Sequence, residues 1–228
     1  MTFTIGLLVF PGVQQLDLTG PYEMFASIPG ATVHLVWKDL APVRSATGLM
    51  LIPTITLADC PDLDVFCIPG GGGVNALLQD TEVLDFIRVK AAGARYVTSV
   101  CTGALVLGAA GLLRGKRATT HWNAVDFLKD FGAIHVNARV VEDGTLITAG
   151  GVTSGIDFGL TIAARLIGQN AAEVIQLSLE YAPEPPFNSG TPDVASPDVL
   201  AKARASMAGS RAERERLMAG FAQSLATD

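Results

Sequence analysis

The sequence predicts an α/β fold: a doubly wound, mostly parallel sheet flanked by helices in a flavodoxin-like sandwich, with a C-terminal helical tail. Three observations predict it. Short β-rich apolar runs alternate with helix-length patterns, as βαβ units do. The runs are hydrophobic almost throughout rather than at every second residue, which marks strands covered on both faces. Gly 24 in 228 residues exceeds the usual share of about 7% and suggests many tight loops.

Strands are expected at Thr4 to Phe10, Thr32 to Trp37, Leu63 to Ile68 and Tyr96 to Val100. Helices suit Tyr22 to Ser27, Thr81 to Ala92 and Cys101 to Ala109. Arg139 to Glu142 and Thr145 to Thr148 flank Asp143-Gly144, a hairpin turn signal. Helices follow at Ser154 to Ile167 and around Ala171 to Tyr181. The composition then shifts to PEPPFNSGTPDVASP, an irregular segment by its prolines. Ser196-Pro197-Asp198 supplies an N-cap, a first-turn proline and a first-turn acid, so a final helix starts there. Leu217, Met218, Phe221 and Leu225 give that helix one apolar face. Residues 1–182 are therefore read as one α/β domain. Residues 183–228 are read as a proline-rich segment and a helix that packs on the domain or on a dimer partner.

The chain's size lets about 70% of the unfolded surface be buried, enough for one core without staples. Lys+Arg 16 against Asp+Glu 22 gives −6, which argues against nucleic acid as a partner. Cys60, Cys67 and Cys101 are odd in number and form no CxxC, so neither a disulfide framework nor a zinc site fits. The opening MTFTIGLLVFPG lacks a basic leader, and the longest apolar run, Ala104 to Leu113, is too short to span a bilayer. A cytoplasmic protein with no membrane partner is expected.

Four loops leave carboxyl ends of expected strands, where open parallel sheets bind ligands. They are Pro11 to Thr19, Gly70 to Gly73, the segment at Cys101, and Gly150-Gly151-Val152. Cys101 lies in S-V-C-T-G, a strand-to-helix turn sharp enough to need the small Ser99 and Gly103. The backbone N–H groups there favour thiolate over thiol, which singles out Cys101 as a nucleophile and leaves Cys60 and Cys67 as core residues. The glycine run weakly fits G-x-G-x-x-A, but no carboxylate ends the next strand, so no nucleotide is expected. Its glycines are expected to bring backbone amides close to a reacting atom, as an anion hole does. Asp17 is placed in the loop after the first strand, between Leu16 and Leu18, with Thr19 or Gly20 left to cap a helix starting at Pro21. Desolvation there favours the neutral carboxyl that a general acid needs. His121, in A-T-T-H-W, is either a base for Cys101 or a structural histidine at a helix start, the second being preferred.

QLDLTGP, IPGGGG, SVCTG, GKRATTHW and TAGGVTSGIDF together resemble the PfpI superfamily, which is class I glutamine amidotransferase-like in fold. The resemblance spans nearly the whole chain, including EYAPEPPFNSG and the helical tail. The glycine loop and cysteine turn recur throughout that superfamily. The pairing of Asp17 with Cys101, and the tail, are similar to its isocyanide-hydrating members. The resemblance implies Cys101 as nucleophile, Asp17 as its acidic partner, and Thr102 and Gly72 as the backbone beside them. Val152 takes a pocket-wall position where isoleucine is also found. It further implies a small-molecule isocyanide substrate, a covalent thioimidate, a formamide product, no cofactor or metal, and a homodimer.

Three rivals stand beside that expectation. A glyoxalase- or deglycase-like enzyme of the same superfamily would use the same cysteine. A-T-T-H-W and D-L-T-G-P also resemble the sensor domain of AraC-type regulators, although the 47 residues after Tyr181 are a poor match for their helix-turn-helix region. Any exposed low-pKa thiol at Cys101 would also be open to oxidation as a redox sensor.

Overall fold

The computed structural model describes residues 2–225, except for side chains from 220 onward; Phe221 and Leu225, expected on the apolar face of the tail, lie outside the described side chains. The chain opens with β1 (Phe3–Leu8), α1 (Gln15–Ala26) and β2 (Ala31–Trp37). Short strands β3 (Val43–Arg44) and β4 (Met50–Leu51) pair with each other, and β5 (Ile55–Thr56) returns to the main sheet. Next come β6 (Val65–Ile68), α2 (Val74–Leu77), α3 (Thr81–Gly93), β7 (Tyr96–Val100) and α4 (Gly103–Ala109). A 3-10 helix (Trp122–Phe131) separates the paired β8 (Arg117–Ala118) and β9 (Ile134–His135). The hairpin β10 (Val140–Asp143) and β11 (Leu146–Ala149) precedes α5 (Ser154–Ile167), α6 (Gln169–Ser178) and α7 (Pro197–Leu225).

The seven-stranded sheet runs β10-β11-β7-β6-β1-β2-β5. Every neighbouring pair is parallel except β10 with β11. Without its edge strands the order is that of a flavodoxin-like sheet, whose reversal point lies beside the first strand. That point falls between β1 and β6, whose carboxyl-end loops therefore lie side by side at the edge where such sheets bind ligands. β1, β6 and β11 are buried along nearly their full length, as their continuous hydrophobicity requires. Helices flank the sheet in two groups, α1 with α5 and α6, and α4 with α2 and α3. Phe25 of α1 meets Phe158 of α5 edge to face, and Phe66 of β6 meets Phe86 of α3 in the same way. Among the described residues no helix is long and apolar enough to cross a membrane.

The central strands and the hairpin stand within two or three residues of their expected bounds. Three local expectations need correction. Helix α1 starts at Gln15, not at Pro21, so Asp17 is in its first turn and not in a loop, and neither Thr19 nor Gly20 caps it. Pro21 instead sits inside α1, where its ring and missing N–H forfeit one intrahelical hydrogen bond. The early start follows from tertiary bonds: the Gln14 N–H donates to Gly70 O at 2.9 Å, which fixes the residue before the helix. Helix α4 starts at Gly103, leaving Cys101 and Thr102 in the turn before it. Finally, β3, β4, β5, β8 and β9 are too short for a periodicity to emerge, and the 3-10 helix goes unassigned although Ala124, Phe127, Leu128 and Phe131 repeat at helical spacing.

The turn between β7 and α4 passes directly beneath the end of β6. A Cβ built on Gly103 would lie 2.0 Å from the Ile68 carbonyl oxygen, so no larger residue fits without moving the backbone. Gly103→Ala is therefore expected to destabilise the fold by about 3 kcal/mol, the upper range for forced overpacking. Thermal unfolding checks this, with Tm falling by roughly 6–12 °C for that loss in a chain of this size.

Candidate active site

Cys101 has φ +55°, a left-handed conformation that a non-glycine residue adopts at a cost of order 1–3 kcal/mol. Three tethers hold it there. Its N–H donates to Ala149 O at 3.0 Å, its carbonyl accepts from Thr120 Oγ1 at 2.8 Å, and Gly103 locks the next turn under β6. Strain held by surrounding structure in this way presents the side chain at the sheet's carboxyl edge.

The loop after β6 then ties the acid to the thiol. Val13 and Gly71 form a β-bridge, and the Gly73 N–H donates to Gly12 O at 3.1 Å. So joined, the loops after β1 and β6 move as one. The Gly70 N–H donates to Asp17 Oδ2 at 2.9 Å, and the Gly71 N–H donates to Thr102 Oγ1 at 3.1 Å. A Cβ on Gly70 would lie 2.7 Å from Asp17 Oδ2 and 2.6 Å from Thr102 N. Only glycine admits the carboxyl this close to the turn carrying Cys101.

The amides of Gly70 and Gly71 are taken by the side chains of Asp17 and Thr102. Gly72 stays on the cavity wall with Gly71, Cys101 and Thr102. A side chain on Gly72 would meet nothing within 4 Å, so that stretch of wall is open to a ligand.

Asp17 is completely buried, and its Oδ1 lacks a hydrogen-bond partner. The Cys101 thiol interacts with the same carboxyl. Burial pushes the carboxyl up to about 7, opposed by the thiol and the Gly70 N–H. Burial also pushes the Cys101 thiol well above its ordinary value, with the Asp17 carboxylate next in effect; the Thr102 N–H and hydroxyl pull the other way. The two groups therefore titrate as a pair in a site that tolerates one negative charge and strongly resists two.

The cavity above them has a volume of about 390 Å³, within the range of small-molecule sites. Gln14, His121 and Val152 line it with the residues already named. His121 caps the 3-10 helix, its Nδ1 accepting from the Asn123 N–H at 3.3 Å. Burial and then the charge of Arg214 lower its pKa, so it is a neutral structural group at the cavity wall. Val152 and His121 also border a neighbouring cavity of about 610 Å³. Cys60 and Cys67 are buried away from this wall, and burial raises Cys67 to about 12, an inert core thiol.

The tail completes the cavity with Ser206, Met207, Ser210, Arg211 and Arg214 of α7. Arg211 reaches Asp126 at 2.6 Å and the Asn123 carbonyl at 2.6 Å, pinning α7 over the 3-10 helix. None of these tail residues was singled out from sequence. One signal was available: Met207, Ser210, Arg214, Leu217 and Met218 share a helical stripe, extending the apolar face onto an arginine.

Sequence and structure comparisons agree with this architecture. Residues 4–165 match the DJ-1/PfpI family, and the chain belongs to that family. It is 63% identical over 204 residues to an isonitrile hydratase from Pseudomonas putida, covering 90% of each chain. The crystal structure of a THiJ/PfpI family protein from Pseudomonas syringae superimposes with a TM-score of 0.93 at 45% identity, covering 96% of this chain and 91% of that one. Drosophila melanogaster DJ-1beta shares the fold at a TM-score of 0.74 and 24% identity, over 80% of this chain and 100% of that one.

Because the folded state holds Asp17 near 7 against 3.8 when solvated, its burial is increasingly unfavourable as pH rises between those values. Asp17→Asn, which keeps the shape without the charge, is expected to gain stability above pH 7, by at most about 4 kcal/mol. Little gain is expected near pH 4. Thermal melts of both proteins across that pH range check the sign.

Proposed function

We propose that the chain is an isocyanide hydratase, adding water to R–N≡C to give an N-substituted formamide. The observation that carries the reading is the Asp17–Cys101 pair, a fully buried acid interacting with a thiol that lines the cavity. The substrate class is supported by the Pseudomonas putida relative, which is named for that activity.

The terminal carbon of an isocyanide accepts a nucleophile only if a proton is supplied as the bond forms. The Cys101 thiolate attacks that carbon while the Asp17 carboxyl protonates it, leaving R–N=CH–S–Cys101 and a carboxylate. Water adds next: Asp17 takes one proton as base, and the nitrogen acquires another. Breaking the C–S bond releases formamide, thiolate and protonated Asp17, so both water protons are accounted for. In this reading Thr102 steadies the thiolate, Gly71 and Gly72 supply the adjacent wall, and Val152 bounds the space for R. No redox change occurs.

The same reading takes residues 1–182 as the catalytic domain and residues 183–228 as its cover. It includes a homodimer, supported by family resemblance, and a reducing cytoplasm, supported by three free cysteines.

Replacing sulfur by oxygen leaves no accessible anion at neutral pH. Cys101→Ser is expected to abolish formamide formation from a small alkyl isocyanide, and near wild-type turnover would refute the mechanism. Asp17→Asn is expected to lose about 10² to 10⁴ in rate, the usual worth of a general acid–base. Methylglyoxal offered to the same preparation separates a glyoxalase-like enzyme from a hydratase. Below about 7 the pair holds both protons, so kcat/KM should rise with pH through about 7. That limb should be absent from Asp17→Asn.

A further inference from the structure

The reacting state needs charge on sulfur and the proton on Asp17, yet a carboxyl is intrinsically far more acidic than a thiol. Both groups are buried together, so desolvation alone does not choose between the two arrangements. A cation nearer the sulfur than the carboxyl would choose.

Asp17 is fully buried and off the cavity lining, whereas Arg214 is a cation on it. It is only 4% exposed and lines the same cavity as Cys101. Its Nε donates to Asn75 Oδ1 at 3.0 Å, and its guanidinium lies 5.9 Å from the centre of the Phe127 ring. Asn75 is itself fixed, its Nδ2 donating to Ser210 O at 3.1 Å and Glu213 Oε2 at 2.8 Å. The guanidinium is thus held by neutral partners, and among the described residues no carboxylate forms an ion pair with it, whereas Arg211 takes both Asp126 and Glu215. A buried guanidinium without an anion is costly, so its retention calls for one.

We propose that Arg214, carried by the C-terminal helix, is the counter-ion of the Cys101 thiolate and biases the pair's single proton onto Asp17. The other groups facing it fit this role. Arg211 opposes its charge, Glu213 supports it, and neutral His121 does not compete for the thiolate. Cys101 is the strongest charge favouring protonated Arg214 against the pull of burial. Arg214 is a positioning residue: it sets where the proton resides. The tail then belongs to the nucleophile rather than serving only as a lid.

The inference rests on Cys101 being the nucleophile, and its test does not depend on the substrate. The full-length wild type, Arg214→Gln and Arg214→Lys are alkylated with iodoacetamide across neutral and alkaline pH. Modification of Cys101 is followed by peptide mass spectrometry, and circular dichroism verifies the fold. Arg214→Gln should slow alkylation near neutral pH at least about tenfold, equivalent to one unit of thiol pKa. Its profile should move to higher pH, while Arg214→Lys stays within about threefold of wild type for want of a lost charge. If Arg214→Gln does not fold, Asn75→Ala releases the guanidinium and should shift the profile the same way. A folded Arg214→Gln with a wild-type profile overturns the proposal, as does Arg214→Lys falling as far as Arg214→Gln. If the shift appears but no isocyanide is hydrated by wild type, the counter-ion stands and the proposed substrate falls.

Discussion

Contact between the β7–α4 turn and the end of β6 governs much of this molecule. With Gly103 pressed against the Ile68 carbonyl, the chain after β7 has one route into α4. That route places Cys101 in a left-handed conformation and turns its thiol out of the sheet edge. The same crowding makes Gly70 the only residue type that can pass between Asp17 and Thr102. Acid, nucleophile and glycine loop are thus separate consequences of one close approach. The sheet order supplies the rest, since its reversal between β1 and β6 sets both loops at the carboxyl edge that carries Cys101.

Electrostatically the site is a low-dielectric pocket built around a single negative charge. Burying Asp17 raises its pKa and opposes folding at neutral pH, but the same burial makes it a usable acid there. In the proposed mechanism, stability and activity draw on one carboxyl in opposite directions. Ser99, whose buried hydroxyl also has no partner, shows similar tolerance of an imperfectly satisfied polar group for the sake of a small side chain at the turn. Both lie where local rules are broken and function is read.

The legible parts were those whose signal is local. Continuous apolar runs revealed β1, β6 and β7, and Asp143-Gly144 revealed the hairpin. Cys101 was readable because S-V-C-T-G compresses a strand end, small flanks and a helix start into five residues. Asp17 was recognised as an acid among leucines but given the wrong backbone, because α1 starts where Gly70 accepts from Gln14. The glycine run lies beside Cys101, with Gly71 and Gly72 on the cavity wall. Nothing in G-G-G-G reveals that two of its amides are used by Asp17 and Thr102. Arg214 lies over a hundred residues from Cys101 in a stretch, RAERER, that reads as a solvated charged face.

The sequence by itself determined the layered α/β architecture and pointed to Cys101 and Asp17 as candidates, since periodicity, turn chemistry and residue type are encoded within a few positions. Only the tertiary structure decided how those residues act: which amides orient them, how far burial shifts Asp17, and which cation from α7 roofs the thiol. Desolvation and charge proximity depend on what surrounds a group in space. Chain folding brings residues 101 and 214 to one cavity and sets residues 17 and 70 against each other through contacts that no short window of sequence contains.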